Sequence, residues 1–485
     1  LGLGFDVFAA YNCSLARYRG DTESIERVFD RQALQMLWDY GEVNPFGRSR
    51  GDWLEILGLG IKVLENCLKI NSKKNSPKIF QVSATELPFP NNYFDAIITD
   101  PPYYDNVAYG DLSDFFYVWL KRVLGDIHQD LLATPLTPKS LEIIQDPARG
   151  KDSKFFERML TKAFREIHRV LKPDGIAVIV FAHKSTEAWE AVISSLLESG
   201  LVLTASWPIH TEMRERLIAH ESAALASSIY MVCRKRVKEE TAYFNEIKEE
   251  LERRVKEKLE QFWEQGISGA DFFVSAIGPA VEVFGRYSRV EKFSGEEVSV
   301  QELLEYVRRI VSEYALERVL KSPDLGGVDN VARFYLIWRW TFGNAKVHFD
   351  DAIKLSRPLG VELTEMWDKG GLVEKEGKFV RVLGPLERAR DPGFMKRRRI
   401  TSMIDALHYA LILWSKGRRE KIKEFLEETG YLGNEMFWRT AQAISEVLPE
   451  GDKEKQLIQG FLYGREEYLK GARAKELSLL DFMER

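Results

Sequence analysis

Cysteine is scarce in this chain of 485 residues: Cys13, Cys67 and Cys233 are the only three. They are far apart and odd in number, which argues for a reducing cytoplasm and against a cysteine-ligated zinc site or a disulfide framework. Long apolar runs are also missing, and nothing approaches the ~20 residues of a membrane-spanning helix. The apolar stretch Leu1–Ala10 has no basic lead and contains Asp6, so it does not read as a signal peptide. A basic surplus is absent too: 69 Lys and Arg stand against 74 Asp and Glu, a net charge of −5. Nucleic-acid binders usually carry the opposite balance, so any such contact must come from local patches. What remains is an ordinary globular composition, 45% apolar and 29% charged, long enough to bury about two or three cores.

What is present concentrates in Phe94-Asp-Ala-Ile-Ile-Thr-Asp-Pro-Pro-Tyr103. Asp95–Thr99 reads as a short buried strand closed by Asp100-Pro101-Pro102-Tyr103. Consecutive prolines stop the strand and remove backbone donors, leaving carbonyls without a ladder partner. Such a turn presents a carboxylate, a bare carbonyl and an aromatic face at the C-terminal edge of a sheet, where α/β folds bind ligands. Those groups suit attack by the amino group of adenine or cytosine, whose lone pair is delocalised into the ring. Two acceptors of its N–H bonds favour the pyramidal form and stabilise positive charge as it develops. Tyr103 would stack on a base turned out of its duplex. The plain alternative is a strand-ending turn with no chemistry.

Asp-Pro-Pro-Tyr is the catalytic motif of S-adenosylmethionine-dependent amino methyltransferases. Its continuation through Tyr104-Asp-Asn-Val-Ala-Tyr-Gly-Asp-Leu-Ser-Asp-Phe-Phe-Tyr-Val-Trp-Leu-Lys121 resembles the large prokaryotic adenine-specific DNA methylases with a zinc ribbon and an N-terminal domain of unknown function. Tyr11–Arg17 and Arg31–Phe46 resemble the same family. The resemblance covers the C-terminal part of the family's architecture, without the zinc ribbon. It implies S-adenosylmethionine as cofactor and DNA as partner. Asp100 and the Pro101 carbonyl would accept the amino hydrogens, Pro102 would hold the turn and Tyr103 would stack. Tyr104, Asp105 and Asn106 would lie on the substrate side. Ser83 and Ala84, with Asp100, would border the cofactor, although Ser83 stands where the family commonly has an acid.

The expected fold is α/β: a partial Rossmann-like methyltransferase sheet followed by a mostly helical accessory domain. Residues 1–76 read as a helical lead-in, with an apolar stripe in Trp53–Ile70 fit for packing on a sheet. Residues 77–236 read as the C-terminal half of the methyltransferase domain. Its strands are expected at Lys78–Val82, Asp95–Thr99, Ile176–Phe181, Leu201–Trp207 and Ser228–Cys233, the last two forming an antiparallel edge beside a parallel core. Helices are expected at Phe155–Leu171 and Thr186–Ser199. The polar link His210–Arg216 is open between a solvated loop and a substrate contact.

A Gly-rich turn after a first strand, and a second strand ending in an acid, are missing. Either the start is truncated or the cofactor-binding half is a separate polypeptide. Beyond a charged connector at 237–262, residues 263–485 read as the helical domain. Its hairpin at 372–382, with Glu-Gly-Lys at the turn, fits a winged helix or a plain staple. Lys396, Arg397, Arg398 and Arg399 form the densest basic cluster, a phosphate contact or a solvated loop. An RNA amino methyltransferase, and a non-catalytic DNA- or partner-binding subunit, remain open beside the DNA enzyme.

Overall fold

The computed structural model describes residues 1–20, 23–26, 28–29, 37–41, 44–47, 51–70, 77–105, 107–183, 185–210, 227–236, 240–322, 325–367, 370–395 and 400–465. The chain divides into two compact units. One unit comprises Leu1–Asn91 with Pro102–Val170, the other Asn92–Pro101 with Leu171–Arg485. Among the described residues, no helix is long and apolar enough to cross a membrane.

In the first unit, helices α1 (Gly2–Tyr11), α2 (Trp53–Ile70), α3 (Tyr109–Leu124) and α4 (Ser153–Val170) accompany a short antiparallel ribbon, β1 (Tyr18–Arg19) with β2 (Ser24–Ile25). The lead-in is therefore only partly helical. Phe5 of α1 sets its ring edge-on to Trp119 of α3, 5.5 Å between centroids. On α4, Phe156, Leu160, Phe164 and Ile167 recur at helical spacing and are buried, the amphipathic pattern its sequence spells out.

Two expectations for this unit fail for one reason. Residues 77–82 form no strand, and Ile79 and Phe80 are 93% and 54% exposed. An extended segment becomes a strand only when a neighbour satisfies its N–H and C=O groups, and no described segment does so. Likewise the apolar stripe of α2 is left largely uncovered by the described residues: Leu59, Ile61, Val63, Leu64 and Leu68 are exposed, while Ile56 is buried.

In the second unit a four-stranded mixed sheet runs in the order β3-β4-β6-β5. Its strands are β3 (Phe94–Thr99), β4 (Leu171–Phe181), β5 (Leu201–His210) and β6 (Ser227–Lys235). β3 and β4 are parallel, whereas β6 is antiparallel to both β4 and β5. The antiparallel closing pair is as expected, but the parallel part is a single pair. β4 carries the sheet core, with Leu171, Ala177, Ile179 and Phe181 all at 0% exposure. β3, expected to be buried, is instead the edge strand, and Ile98 is 75% exposed. After β4, Ser185 caps α5 (Thr186–Glu198) by accepting the Ala188 N–H.

The charged connector is α6 (Phe244–Glu264), preceded by β7 (Thr241–Tyr243), which runs parallel to β8 (Arg289–Glu291). Ile247, Leu251, Val255, Leu259 and Phe262 of α6 are buried as their spacing requires. α7 (Gly269–Ser275) and α8 (Ile277–Phe284) follow. Glycine is needed at 278, where a Cβ would stand 1.8 Å from the Ser206 Oγ of β5. α9 (Val300–Leu320) opens with a capping box between Ser299 and Glu302.

Then come α10 (Asn330–Phe342), β9 (Val347–His348) and α11 (Phe349–Ser356), which ends in 3-10 turns at Arg357–Leu359 and Leu363–Met366. The expected hairpin is β10 (Val373–Glu376) with β11 (Phe379–Val382), and β9 joins β11 on its other side. Gly377 takes a positive φ of 60° at the hairpin turn. α12 (Pro385–Arg388), α13 (Pro392–Met395), α14 (Met403–Ser415), α15 (Arg419–Glu428), α16 (Glu435–Val447) and α17 (Lys453–Tyr463) complete the described helices. Trp438 and Phe437 are buried in their core, and Trp414 and Phe425 pack against it.

Candidate functional site

β3 delivers Asp100 to the C-terminal end of the parallel pair. In register, Thr99 lies opposite Ile179 of β4, so Asp100 leaves the sheet where β4 also nears its end. The start of the strand is pinned by Lys172, whose ammonium donates to the Asp95 carboxylate at 2.6 Å and holds that acid below its usual range. A register shift between Phe94 and Ala96 accommodates the Lys172–Gly175 stretch of β4. Asp100 is exposed and Pro101 half-buried. Among the described residues, no hydrogen bond engages the Asp100 carboxylate or the Pro101 carbonyl. Two acceptors adjacent in sequence are thus left for an outside donor.

His183, which the sequence pattern does not single out, follows β4 at the same edge. Its ring stacks on Phe181, with 6.4 Å between centroids, and its Nδ1 accepts the Ser185 N–H at 3.0 Å. With Nδ1 accepting, the ring hydrogen sits on Nε2. Its place just after the strand neighbouring β3 is the signal that would have found it.

One of the points at which the chain passes from one compact unit to the other falls between Pro101 and Pro102. In the first unit, Pro102 and Tyr103 are half-buried. Tyr104, expected on the substrate side, is 3% exposed and packs edge-on against Phe156 of α4, 5.0 Å between centroids. It points inward. Its φ is +55°, a region that bulky side chains rarely enter and that costs about 1–2 kcal/mol. Its N–H donates to the Pro102 carbonyl at 3.1 Å, closing a three-residue turn about Tyr103, and its own carbonyl accepts the Gln145 N–H at 3.0 Å. Asp105 is exposed. Asn106 and Lys396–Arg399 lie outside the described residues.

The chain beyond the motif is knitted to the first turns of α3. Glu142 accepts the Gly110 N–H at 2.8 Å, and Arg149 donates to Asp111 at 2.7 Å. Thr137 donates to Asp114 at 2.6 Å, while Lys139 pairs with the same carboxylate. Asp111 and Asp114 are therefore structural anchors, a role that only their partners reveal.

Ser83 sits in an exposed turn, its hydroxyl 2.8 Å from Thr85 Oγ1 while it accepts the Thr85 N–H; Ala84 is exposed beside it. The segment that follows is clamped to α4. Glu166 accepts the Leu87 N–H at 2.8 Å, and Arg169 donates to the Leu87 and Phe89 carbonyls at 2.9 and 2.8 Å. The Arg169 guanidinium holds the Glu166 carboxyl below its usual range. The Ser83 turn is thus positioned, but its hydroxyl is spent within the turn.

A larger cluster of buried titratable groups lies in the helical region. Arg388 donates to Asp405 at 2.6 Å and to His408 Nδ1 at 3.1 Å. Arg339 pairs with Glu454 at 3.0 Å, and the Tyr335 hydroxyl donates to that carboxylate at 2.5 Å. Burial, reinforced by Arg388 and Arg339, pushes the His408 imidazole well below its usual range, so it is neutral. Each charge has an opposite partner, and the network ties α10, α12, α14 and α17 together. Among the described residues, no group of three or more His, Cys, Asp or Glu could hold a metal ion.

No family model, curated protein or solved structure matches the chain.

Proposed function

We propose that this chain is the base-presenting portion of an S-adenosylmethionine-dependent DNA amino methyltransferase acting on adenine, built on part of a Rossmann-like sheet. One observation carries the reading: an exposed carboxylate and a carbonyl with no donor among the described residues, Asp100 and Pro101, close a strand at the C-terminal edge of a parallel pair. Ligands of α/β sheets bind at that edge. Both groups accept hydrogen bonds only, and the exocyclic amino group of adenine offers two N–H donors. Engaging both draws the nitrogen toward the pyramidal geometry from which its lone pair attacks. The carboxylate also faces the positive charge that develops on that nitrogen. Tyr103, by its resemblance to the motif tyrosine, supplies the stacking face.

The residues present do not fit a complete cofactor site. The Ser83 hydroxyl is paired with Thr85, Ala84 offers only a methyl group, and β3 has no described strand on its outer edge. A Gly-rich turn supplied from outside these residues, on a preceding part of the same protein or on a separate polypeptide, would provide cofactor binding. The hairpin keeps a strand order β10-β11-β9 compatible with a wing. Of its cations, Arg381 is engaged with Glu374 at 2.6 Å and Glu387 at 2.5 Å, and the Lys375 ammonium lies over the Phe349 and Trp367 rings, while Lys378 at the turn makes no ion pair among the described residues.

The test needs no cofactor. Binding is measured to a duplex carrying one unpaired adenine and to the same duplex with N6,N6-dimethyladenine, which has no N–H to donate. Hydrogen bonds to charged groups contribute about 1.5–3 kcal/mol, so adenine should bind about 10- to 100-fold more tightly. Equal affinities would overturn the reading. An RNA hairpin with the same unpaired base tests whether the polymer matters.

A further inference from the structure

We propose that the hairpin β10–β11 is a wing that contacts the phosphate backbone of duplex DNA through Lys375 and Lys378, without reading sequence. This contact is independent of the amino-group reading of Asp100. A short strand, a helix, a turn, a second helical turn and a hairpin follow one another as β9, α11, Arg357–Leu359, Leu363–Met366 and β10–β11. β11 lies between its hairpin partner β10 and the short β9, antiparallel to both. That is the order of a helix-turn-helix followed by a wing, in which the second helix ordinarily enters the major groove. Here the second element is a 3-10 turn of four residues, and Glu362 and Glu365 stand exposed on it. Its two carboxylates repel the phosphates that flank a groove, and one turn is too short to reach along it. The contact therefore passes to the wing.

Charge on the wing is sorted. Glu376 pairs with Lys346 at 2.5 Å and Glu374 with Arg381 at 2.6 Å, so both hairpin carboxylates are neutralised. On the hairpin two exposed cations remain, Lys375 and Lys378. The Lys375 ammonium lies 5.0 Å from the Phe349 ring centroid and 4.7 Å from that of Trp367. Aromatic faces attract a cation and fix its place without cancelling its charge. Lys378 makes no ion pair among the described residues. It shares the turn between Glu376 and Phe379 with Gly377, whose φ of 60° permits the tight reversal. One lysine is thus held by rings and the other by a turn, three residues apart at the tip. Contacts of this kind position a duplex and carry no sequence information.

Fluorescence anisotropy of a fully paired DNA duplex, titrated with the full chain at about 50 to about 200 mM salt, reads these contacts. Each phosphate contact contributes about −0.9 to the slope of log affinity against log salt. Lys375→Gln and Lys378→Gln should each flatten the slope by about 0.9, and the double variant by about 1.8. The same losses should appear on a second duplex of unrelated sequence. Lys375→Arg, which keeps both the charge and the ring contact, should retain the wild-type slope. The preference for unpaired adenine over N6,N6-dimethyladenine should be the same in every variant, which separates the wing from Asp100. A double variant with the wild-type slope overturns the proposal, as does a wild-type chain that binds neither duplex at the lowest salt. Flattening by Lys375→Arg equal to that by Lys375→Gln would make Lys375 a latch for the hairpin and remove it from the contact. A poly-glutamate peptide bound as tightly, with the same dependence on both lysines, would overturn DNA as the partner.

Discussion

Helices α2 and α14 are both rich in apolar residues and have opposite surroundings. Trp53–Ile70 carries an apolar stripe beside Glu55, Lys62, Glu65 and Lys69, whereas Met403–Ser415 is apolar nearly all round. Yet Leu407, Ala410, Leu411 and Ile412 of α14 are all at 0% exposure, whereas Leu64 and Leu68 of α2 are 65% and 75% exposed. A helix apolar all round ordinarily belongs to a core. Periodicity therefore states which faces want burial and is silent on what covers them. The helical region closes its own core, with a paired ionic network inside it, while α2 offers its apolar surface outward.

That contrast is measurable. Leu411→Ala should cost about 2–5 kcal/mol, because the side chain is fully enclosed and its removal leaves a cavity. Leu64→Ala should change stability by no more than about 0.5 kcal/mol. Urea denaturation of both variants reads the difference directly. A Leu64→Ala loss as large as that of Leu411→Ala would show that α2 is covered in solution.

A smaller effect comes from Asp6 on α1. Burial without a hydrogen-bond partner among the described residues for its Oδ1 raises this carboxyl to about 6 from an ordinary 3.8. A carboxyl raised in the folded state favours folding while it is protonated in both states. That advantage is lost as pH rises from about 3.8 through about 6, where the unfolded chain ionises first. Asp6→Asn should therefore raise the melting temperature at pH 7.5 and should have little effect at pH 4. Equal effects at both values would mean that Asp6 does not carry this pH dependence.

Much of the fold was legible where pattern and packing agree. The α6 stripe, the hairpin about Gly377 and the antiparallel pair β5–β6 follow from periodicity and turn chemistry. Misreadings cluster where a neighbour decides. Residues 77–82 have strand composition but no described partner, and β3 is an edge although Ala96-Ile97-Ile98 reads as buried. In the candidate site, Asp100 and Pro101 stood out from the proline pair alone. Tyr104 did not, because sequence gives no sign of the sign of φ. An aromatic beside an aromatic looks like a binding face until its burial against Phe156 is seen.

The most direct measurement is the adenine preference of the Asp100 series. With the unpaired-base duplexes, Asp100→Ala should abolish the preference, since it removes the charged acceptor while packing is untouched. Asp100→Asn should keep part of it through the amide oxygen, and Tyr103→Phe should keep nearly all, because stacking needs the ring and not the hydroxyl. An Asp100→Ala protein that still favours adenine over N6,N6-dimethyladenine as strongly as wild type would contradict the assignment of this turn as the site that receives the base.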